Sequence, residues 1–288
     1  MFGGREIMGK HMAVIGLGHI GSSTARDSMA LGMHVSGYDP GLSVESALKL
    51  PKETDLKDSL EAAVAGADYI SINIPYIKGE GGTHGIIGKD VISHFKDDAV
   101  LLNFARGELI DSEALKEFLD SGNGKYVTDF PDDVLWDHEN VIILPHLGAS
   151  TAEAEENAAA MAADTIREYM ETGTIRNSVN FPSTSLPDRP SNTIRFTVVN
   201  ENKPGMLAHI TEAFAKANLN IVQQINQSRG SIAYNVLDIE PFMEVGSPAK
   251  LADIQREVTM LDGVLSSRVL FGAAGAGYAR NIDGEYFV

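Results

Sequence analysis

The chain has 288 residues, 43% hydrophobic and 22% charged, enough apolar material for one large or two modest globular domains. It contains no cysteine, which excludes disulfides, thiolate metal sites and a cysteine nucleophile. A formal net charge of −17 argues against nucleic acid and anionic membranes as partners and requires a local cation wherever an anionic substrate binds.

The opening segment, MFGGREIMGKHMA, mixes charge and glycine and lacks the apolar stretch of an export signal. No apolar run approaches the length of a membrane span, so the expected location is the cytoplasm. From Met12 onward short apolar runs alternate with amphipathic segments. Strands are predicted at Met12–Ile15, Met33–Tyr38, Tyr69–Ile74, Val100–Phe104, Lys125–Thr128 and Val141–Leu144. Helices are predicted between most of them, at Ile20–Leu31, Leu56–Ala65, Asp90–Phe95 and Ser112–Leu119. This alternation predicts an α/β domain, a doubly wound parallel sheet over residues 1–149.

A long Ala- and Glu-rich helix is predicted over Thr151–Glu171, stopped by Gly173. Asn177–Asn192 holds Pro182, Pro187 and Pro190 and reads as an interdomain linker, so residues 150–192 are assigned to a helix and linker. The third region, 193–272, runs strand (Ile194–Asn200), helix (Gly205–Ala217), strand (Leu219–Gln224), strand (Ile232–Ile239), helix (Ala249–Met260), strand (Val264–Phe271). That βαββαβ order predicts a ferredoxin-like domain. Residues 273–288 form a Gly-rich tail.

Gly16-Leu-Gly18-His-Ile-Gly21 follows the first strand and opens a helix. In that context the glycines have separate tasks: Gly16 the tight turn, Gly18 close approach of backbone to a pyrophosphate, Gly21 close packing of helix on strand. The helix N-terminus faces the phosphate charge. Asp39 ends the second strand, eighteen residues after Gly21, near the spacing of a ribose-binding acid. A carboxylate there repels a 2′-phosphate, so NAD is favoured over NADP. If the strands are parallel, Asn73-Ile-Pro75, Asn103-Phe-Ala-Arg106 and Pro145-His146-Leu-Gly148 converge with the Gly loop on one rim. There Arg106 suits a substrate carboxylate and His146 suits proton exchange with a hydroxyl. Among Asp132, Asp133 and Asp137, one carboxylate is a candidate to orient His146. No histidine pair has metal-ligand spacing, and no metal is predicted.

The motifs GKHMAVIGLGHIGSSTA, VSGYDP, LLNFARGELID and ILPHLGASTAEAEENAA, followed by NSVNFP, resemble the D-2-hydroxyacid dehydrogenases, and within them the phosphoglycerate dehydrogenase branch. The resemblance implies NAD-dependent oxidation of D-3-phosphoglycerate to 3-phosphohydroxypyruvate in serine biosynthesis. Alternatives are another 2-hydroxy acid, or a catalytically weak NAD- and amino-acid-binding regulatory chain or truncated fragment. It implies His146 as acid/base, Arg106 as carboxylate binder and Asp133 as the partner of His146. It further implies a cofactor site at Gly16, Gly18, His19, Ile20, Gly21, Asp39, Asn73, Pro75, Phe104, Ala105, Arg106, Thr128, His146 and Gly148. Asn200–Leu207 and Asn218–Ile221 resemble an ACT domain, which implies a serine effector site between paired domains at Asn200, Asn202 and Asn220, with Asn200 standing where a histidine is customary. The family's first lobe is expected to be absent, leaving Met161, Ile166 and Met170 of the long helix uncovered. A homo-oligomer is expected.

Overall fold

The computed structural model describes residues 4–190, 193–240 and 248–270. The chain divides into two compact units, Met1–Ala149 and Ser150–Val288. The first contains β1 (His11–Ile15), α1 (His19–Ala30), β2 (His34–Tyr38), α2 (Val44–Lys49), β3 (Asp55–Leu56), α3 (Leu60–Val64), β4 (Tyr69–Ile72), α4 (Lys89–Ile92), β5 (Val100–Asn103), α5 (Ser112–Ser121), β6 (Lys125–Thr128) and β7 (Val141–Ile143). Among the described residues these strands form one seven-stranded sheet, ordered β3-β2-β1-β4-β5-β6-β7 and parallel throughout. Chain order reverses direction between β1 and β4, which opens a crevice at their carboxyl ends.

The apolar runs predict these strands well because both faces of the sheet are covered. Ala13 and Ile15 of β1, Ile70 and Ile72 of β4, and Leu101 of β5 are all buried in one core with Leu115 and Leu119 of α5. One expectation fails. Leu56–Ala65 reads as a single helix, but Asp55–Leu56 is a short edge strand on β2 and the helix starts only at Leu60. Ser59 decides this: its hydroxyl accepts the Ala62 N–H and fixes the helix start there. Ser43 caps α2, a helix absent from the sequence reading, in the same way.

The second unit contains α6 (Ala152–Thr172), β8 (Ile194–Glu201), α7 (Met206–Lys216), β9 (Asn220–Arg229), β10 (Ile232–Glu240), α8 (Pro248–Thr259) and β11 (Val264–Leu270). Its sheet is antiparallel, ordered β11-β8-β10-β9, the ferredoxin-like arrangement. Alternation along β8 divides the faces. Phe196 and Val198 are buried with Ile210 and Phe214 of α7 and with Leu251 and Val258 of α8. Arg195 and Thr197 face the other way.

That second face also takes up the segment read as an interdomain linker. Ile175 and Thr184 pair as a β-bridge, and Phe181 and Leu186 pack on buried Tyr234 and Val236 of β10. Tyr234 donates its hydroxyl proton to the Gly173 carbonyl at 2.7 Å, and Arg195 Nη1 donates to the Thr172 carbonyl at 2.9 Å. The segment after α6 is therefore a cover for the sheet, drawn there because Tyr234, Val236 and the Arg195–Asp238 pair would otherwise face water. Gly173 ends α6 in the left-handed conformation (φ 73°). Met161 and Ile166 on α6 are exposed as expected. Met170 is not: it is half-buried, and its carbonyl accepts from Arg268 Nη2 at 3.2 Å. Phe271 and the tail 273–288 lie outside the described residues. No described helix is long and apolar enough to cross a membrane.

Candidate active site

The Gly loop is built from backbone and one carboxylate. Gly16 takes φ +87°, and a Cβ there would meet the Asn73 carbonyl oxygen at 2.6 Å. A Cβ at Gly21 would collide with the Gly16 carbonyl itself, and its next neighbour would be Val14 on β1. Gly21 thus protects the turn first and the helix–strand packing second. Gly18 differs: a Cβ there meets nothing among the described residues, so its openness serves whatever approaches the loop. Gly18 is also the N-cap of α1, makes no side-chain cap, and is followed by no acid in the first turn. The N–H groups and positive dipole end of a twelve-residue helix are left available to an anion. Asp39 pins the loop, Oδ2 accepting from Leu17 N and Oδ1 from Gly41 N, both at 2.9 Å. Each oxygen retains a lone pair for a sugar hydroxyl.

Beyond the loop a cleft of about 750 Å³ runs along the carboxyl ends of β4 and β5. Six of the expected cofactor residues line it: Ile20, Asn73, Pro75, Phe104, Ala105 and Arg106. His19 is exposed at the start of α1 and contributes its carbonyl to Ser22 Oγ, outside that lining. A residue without an assigned role, Asn103, shapes the far wall. It is fully buried, accepts from Ala105 N at 3.1 Å and donates to the Arg106 carbonyl at 2.9 Å and to the Tyr126 hydroxyl at 3.2 Å. One amide thereby sets the loop that presents Arg106. Burial pushes the Tyr126 hydroxyl pKa up, so it stays a neutral partner. Arg106 is exposed and donates to the Ala105 carbonyl at 2.6 Å. It has no carboxylate partner among the described residues.

His146 follows β7, which pairs with β6 so that Thr128 lies beside Ile143. Leu144 N donates to the Thr128 carbonyl, and the residue after Thr128 is thereby brought beside the imidazole. That residue is Asp129. His146 Nδ1 lies 3.0 Å from Asp129 Oδ2, and the ring packs on Phe130 at 4.9 Å between centroids. Asp129 is 6% exposed; His146 is 62% exposed. The second oxygen of Asp129, Oδ1, is buried without a partner among the described residues.

The expectation of Asp133 is corrected here. Asp133 is exposed in the turn that follows. Asp132 caps that turn, Oδ1 accepting from Val134 N and Oδ2 from Ser112 Oγ, so it too is occupied elsewhere. Counting along the motif points to Asp133. The strand pairing, which the sequence does not state, selects Asp129. Thr128 is buried and accepts from Phe130 N, holding the turn between the two strands and the acid. Gly148 lies in open space just past His146.

A family model for the NAD binding domain of D-isomer specific 2-hydroxyacid dehydrogenases matches residues 1–148, half of the chain. This chain belongs to the D-2-hydroxyacid dehydrogenases. The Gly loop, Asp39 and the cleft are that family's NAD-binding domain, and the open Gly18 and uncapped α1 fit the group. Curated relatives include D-3-phosphoglycerate dehydrogenase of Haemophilus influenzae, 34% identical over 93% of this chain and 65% of the relative. That of Escherichia coli is 31% identical over the same shares. The chain thus spans just under two thirds of the length of these relatives. Among solved structures, a glyoxylate reductase from Paecilomyes thermophila gives a TM-score of 0.52 at 27% identity, covering 61% of this chain and 54% of that one. A D-2-hydroxyisocaproate dehydrogenase gives 0.50 at 25% identity, over 58% and 55%.

Within a single domain the expected effector residues lie apart. Asn200 is 2% exposed, donates to the Glu201 carbonyl and accepts from Asn235 Nδ2, both at 2.7 Å. Asn235 in turn accepts from Asn226 Nδ2 at 2.6 Å. Asn200 is therefore a buried member of an amide ladder across three strands, not a free ligand. Asn202 and Asn220 are exposed, donating to the Gly230 carbonyl and to Glu240 Oε2 respectively. Those partners flank opposite ends of β10, which at strand rise spans about 26 Å. One domain cannot place both on one small ligand.

Proposed function

We propose that this chain serves NAD-dependent oxidation of a D-2-hydroxy acid, with D-3-phosphoglycerate as substrate and 3-phosphohydroxypyruvate as product. The observation that carries the chemistry is the His146–Asp129 pair at the carboxyl end of β7, on the same sheet rim as Arg106. The names of the curated relatives support the choice of substrate. Bound NAD supplies the hydride acceptor. Arg106 takes the substrate carboxylate through its guanidinium fork, supplying the local cation that an acidic protein needs. Asp129 holds the proton on His146 Nδ1 and so leaves Nε2 as the basic nitrogen. Nε2 takes the hydroxyl proton as the C2–H electron pair leaves, and returns it in the reverse direction. The carboxylate of Asp129 stabilises the imidazolium formed on the way.

The test is NADH consumption by the full 288-residue chain with 3-phosphohydroxypyruvate. Turnover is expected, with Arg106→Ala lowering kcat/KM by about 10²–10³ and His146→Gln by at least as much. Detectable NADH binding with no turnover on any 2-oxo acid would overturn the reading.

A further inference from the structure

On the covered face of the small domain, α6, the segment after it and β8 enclose an open cleft of about 600 Å³. Its wall carries two arginines with different fates. Arg195 is fully matched: Nε and Nη2 donate to the two oxygens of Asp238 at 2.7 and 2.8 Å, and Nη1 donates to the Thr172 carbonyl. Gln223 Nε2 donates to Asp238 Oδ2 as well, which completes that carboxylate. Arg189 is not matched. Its Nη2 donates to the Thr193 carbonyl, but its Nε–H is buried with no acceptor, and it has no carboxylate partner among the described residues. Asp238 is the nearest buried anion, and Arg195 holds it. Glu168, on the opposite wall, is paired with Arg176. Desolvation pulls the Arg189 pKa below its usual value, the direction expected of a cation lacking a counter-ion. Asp188, in the left-handed region (φ 52°) between Pro187 and the arginine, turns the chain so that Arg189 points back into the cleft.

We propose that this cleft is a binding site for a small oxyanion, a carboxylate or phosphate, held by the Arg189 guanidinium with Ser185 and Thr174 at its sides. A buried guanidinium N–H without an acceptor is costly, and an oxyanion is the group that satisfies a planar fork of donors. The occupant would sit against the segment after α6, since Arg189, Ser185 and Thr174 all belong to it. The site does not share a residue with the dehydrogenase centre.

The experiment is calorimetric titration of the full chain with inorganic phosphate and, separately, with succinate, in a chloride buffer. The Arg189 Nε–H resonance is followed by NMR in parallel. Saturable binding of at least one anion is expected, with a shift of the Arg189 Nε–H signal, and Arg189→Gln weakening the affinity about tenfold or more. Phosphate without succinate would assign the site to phosphoryl groups, and succinate without phosphate to carboxylates; both support it. No saturable binding of either anion, or equal binding by the wild type and Arg189→Gln, would overturn the proposal. Should Arg189→Gln fail to fold, an unmoved Nε–H signal in the wild type at saturating anion would overturn it equally.

Discussion

Replacing Asp129 by asparagine tests the central pair directly. The carboxylate of Asp129 is 6% exposed and its Oδ2 lies 3.0 Å from His146 Nδ1. An amide of the same shape can present N–H to Nδ1 instead, which moves the proton to Nε2 and leaves no base facing substrate. A fully buried acid–imidazole pair loses about 10⁴ in kcat from such a change. Here the imidazole is 62% exposed, so water screens part of the interaction, and about 10²–10³ is expected, or about 2.7–4 kcal/mol of barrier. Folding should survive. Asp129 Oδ1 has no partner among the described residues, so the substitution breaks only the contact with His146, and the stability change should stay within about 1 kcal/mol. Asp133→Asn is the control, and its exposed side chain predicts less than about a twofold effect. The assay is steady-state NADH oxidation, with ¹⁵N spectra of the imidazole to read the tautomer independently of turnover. A wild-type-like Asp129→Asn with a crippled Asp133→Asn would refute the assignment, as would an unchanged Nδ1–H signal in Asp129→Asn.

Four further outcomes are expected. Gly18→Ala should melt within about 1 kcal/mol of wild type yet bind NADH much more weakly, because its Cβ meets only ligand space. Gly21→Ala should lose both stability and binding, because its Cβ collides with the Gly16 carbonyl; thermal melts and NADH fluorescence titration separate the two. Arg195→Leu should cost about 3–5 kcal/mol by leaving Asp238 charged and buried, whereas Arg195→Leu with Asp238→Leu should cost less than the single change, read by urea unfolding. Burial holds the His11 imidazole below its usual pKa, so the folded chain stays neutral there where the unfolded chain binds a proton. Its contribution is therefore fully present above about pH 6.5 and is lost as pH falls toward the folded value, a dependence that His11→Gln should flatten in melts across pH.

Much of this molecule is written in local pattern. Parallel strands buried on both faces must be apolar throughout, so β1, β4 and β5 announce themselves as Val-, Ile- and Leu-rich runs. The Gly loop is legible because φ +87° at Gly16 and contact at Gly21 admit no other residue. The βαββαβ order of the small domain follows from alternating periods of two and 3.6. Arg106 and His146 stand at strand ends, and strand polarity alone brings them to one rim.

What the sequence did not decide depends on contacts between residues far apart in the chain. The partner of His146 is set by the register of β6 on β7, which places Thr128 beside Ile143 and hence Asp129, not Asp133, at the imidazole. The proline-rich segment has the composition of a linker, yet Tyr234 and Val236, dozens of residues later, provide the surface that holds it. Asn200 looks like a ligand until Asn235 on the neighbouring strand accounts for its amide. In each case composition names the residue type and local propensity names the element. Which polar group meets which is fixed only when sheets pair and faces close, because a buried donor takes the acceptor that folding brings within reach.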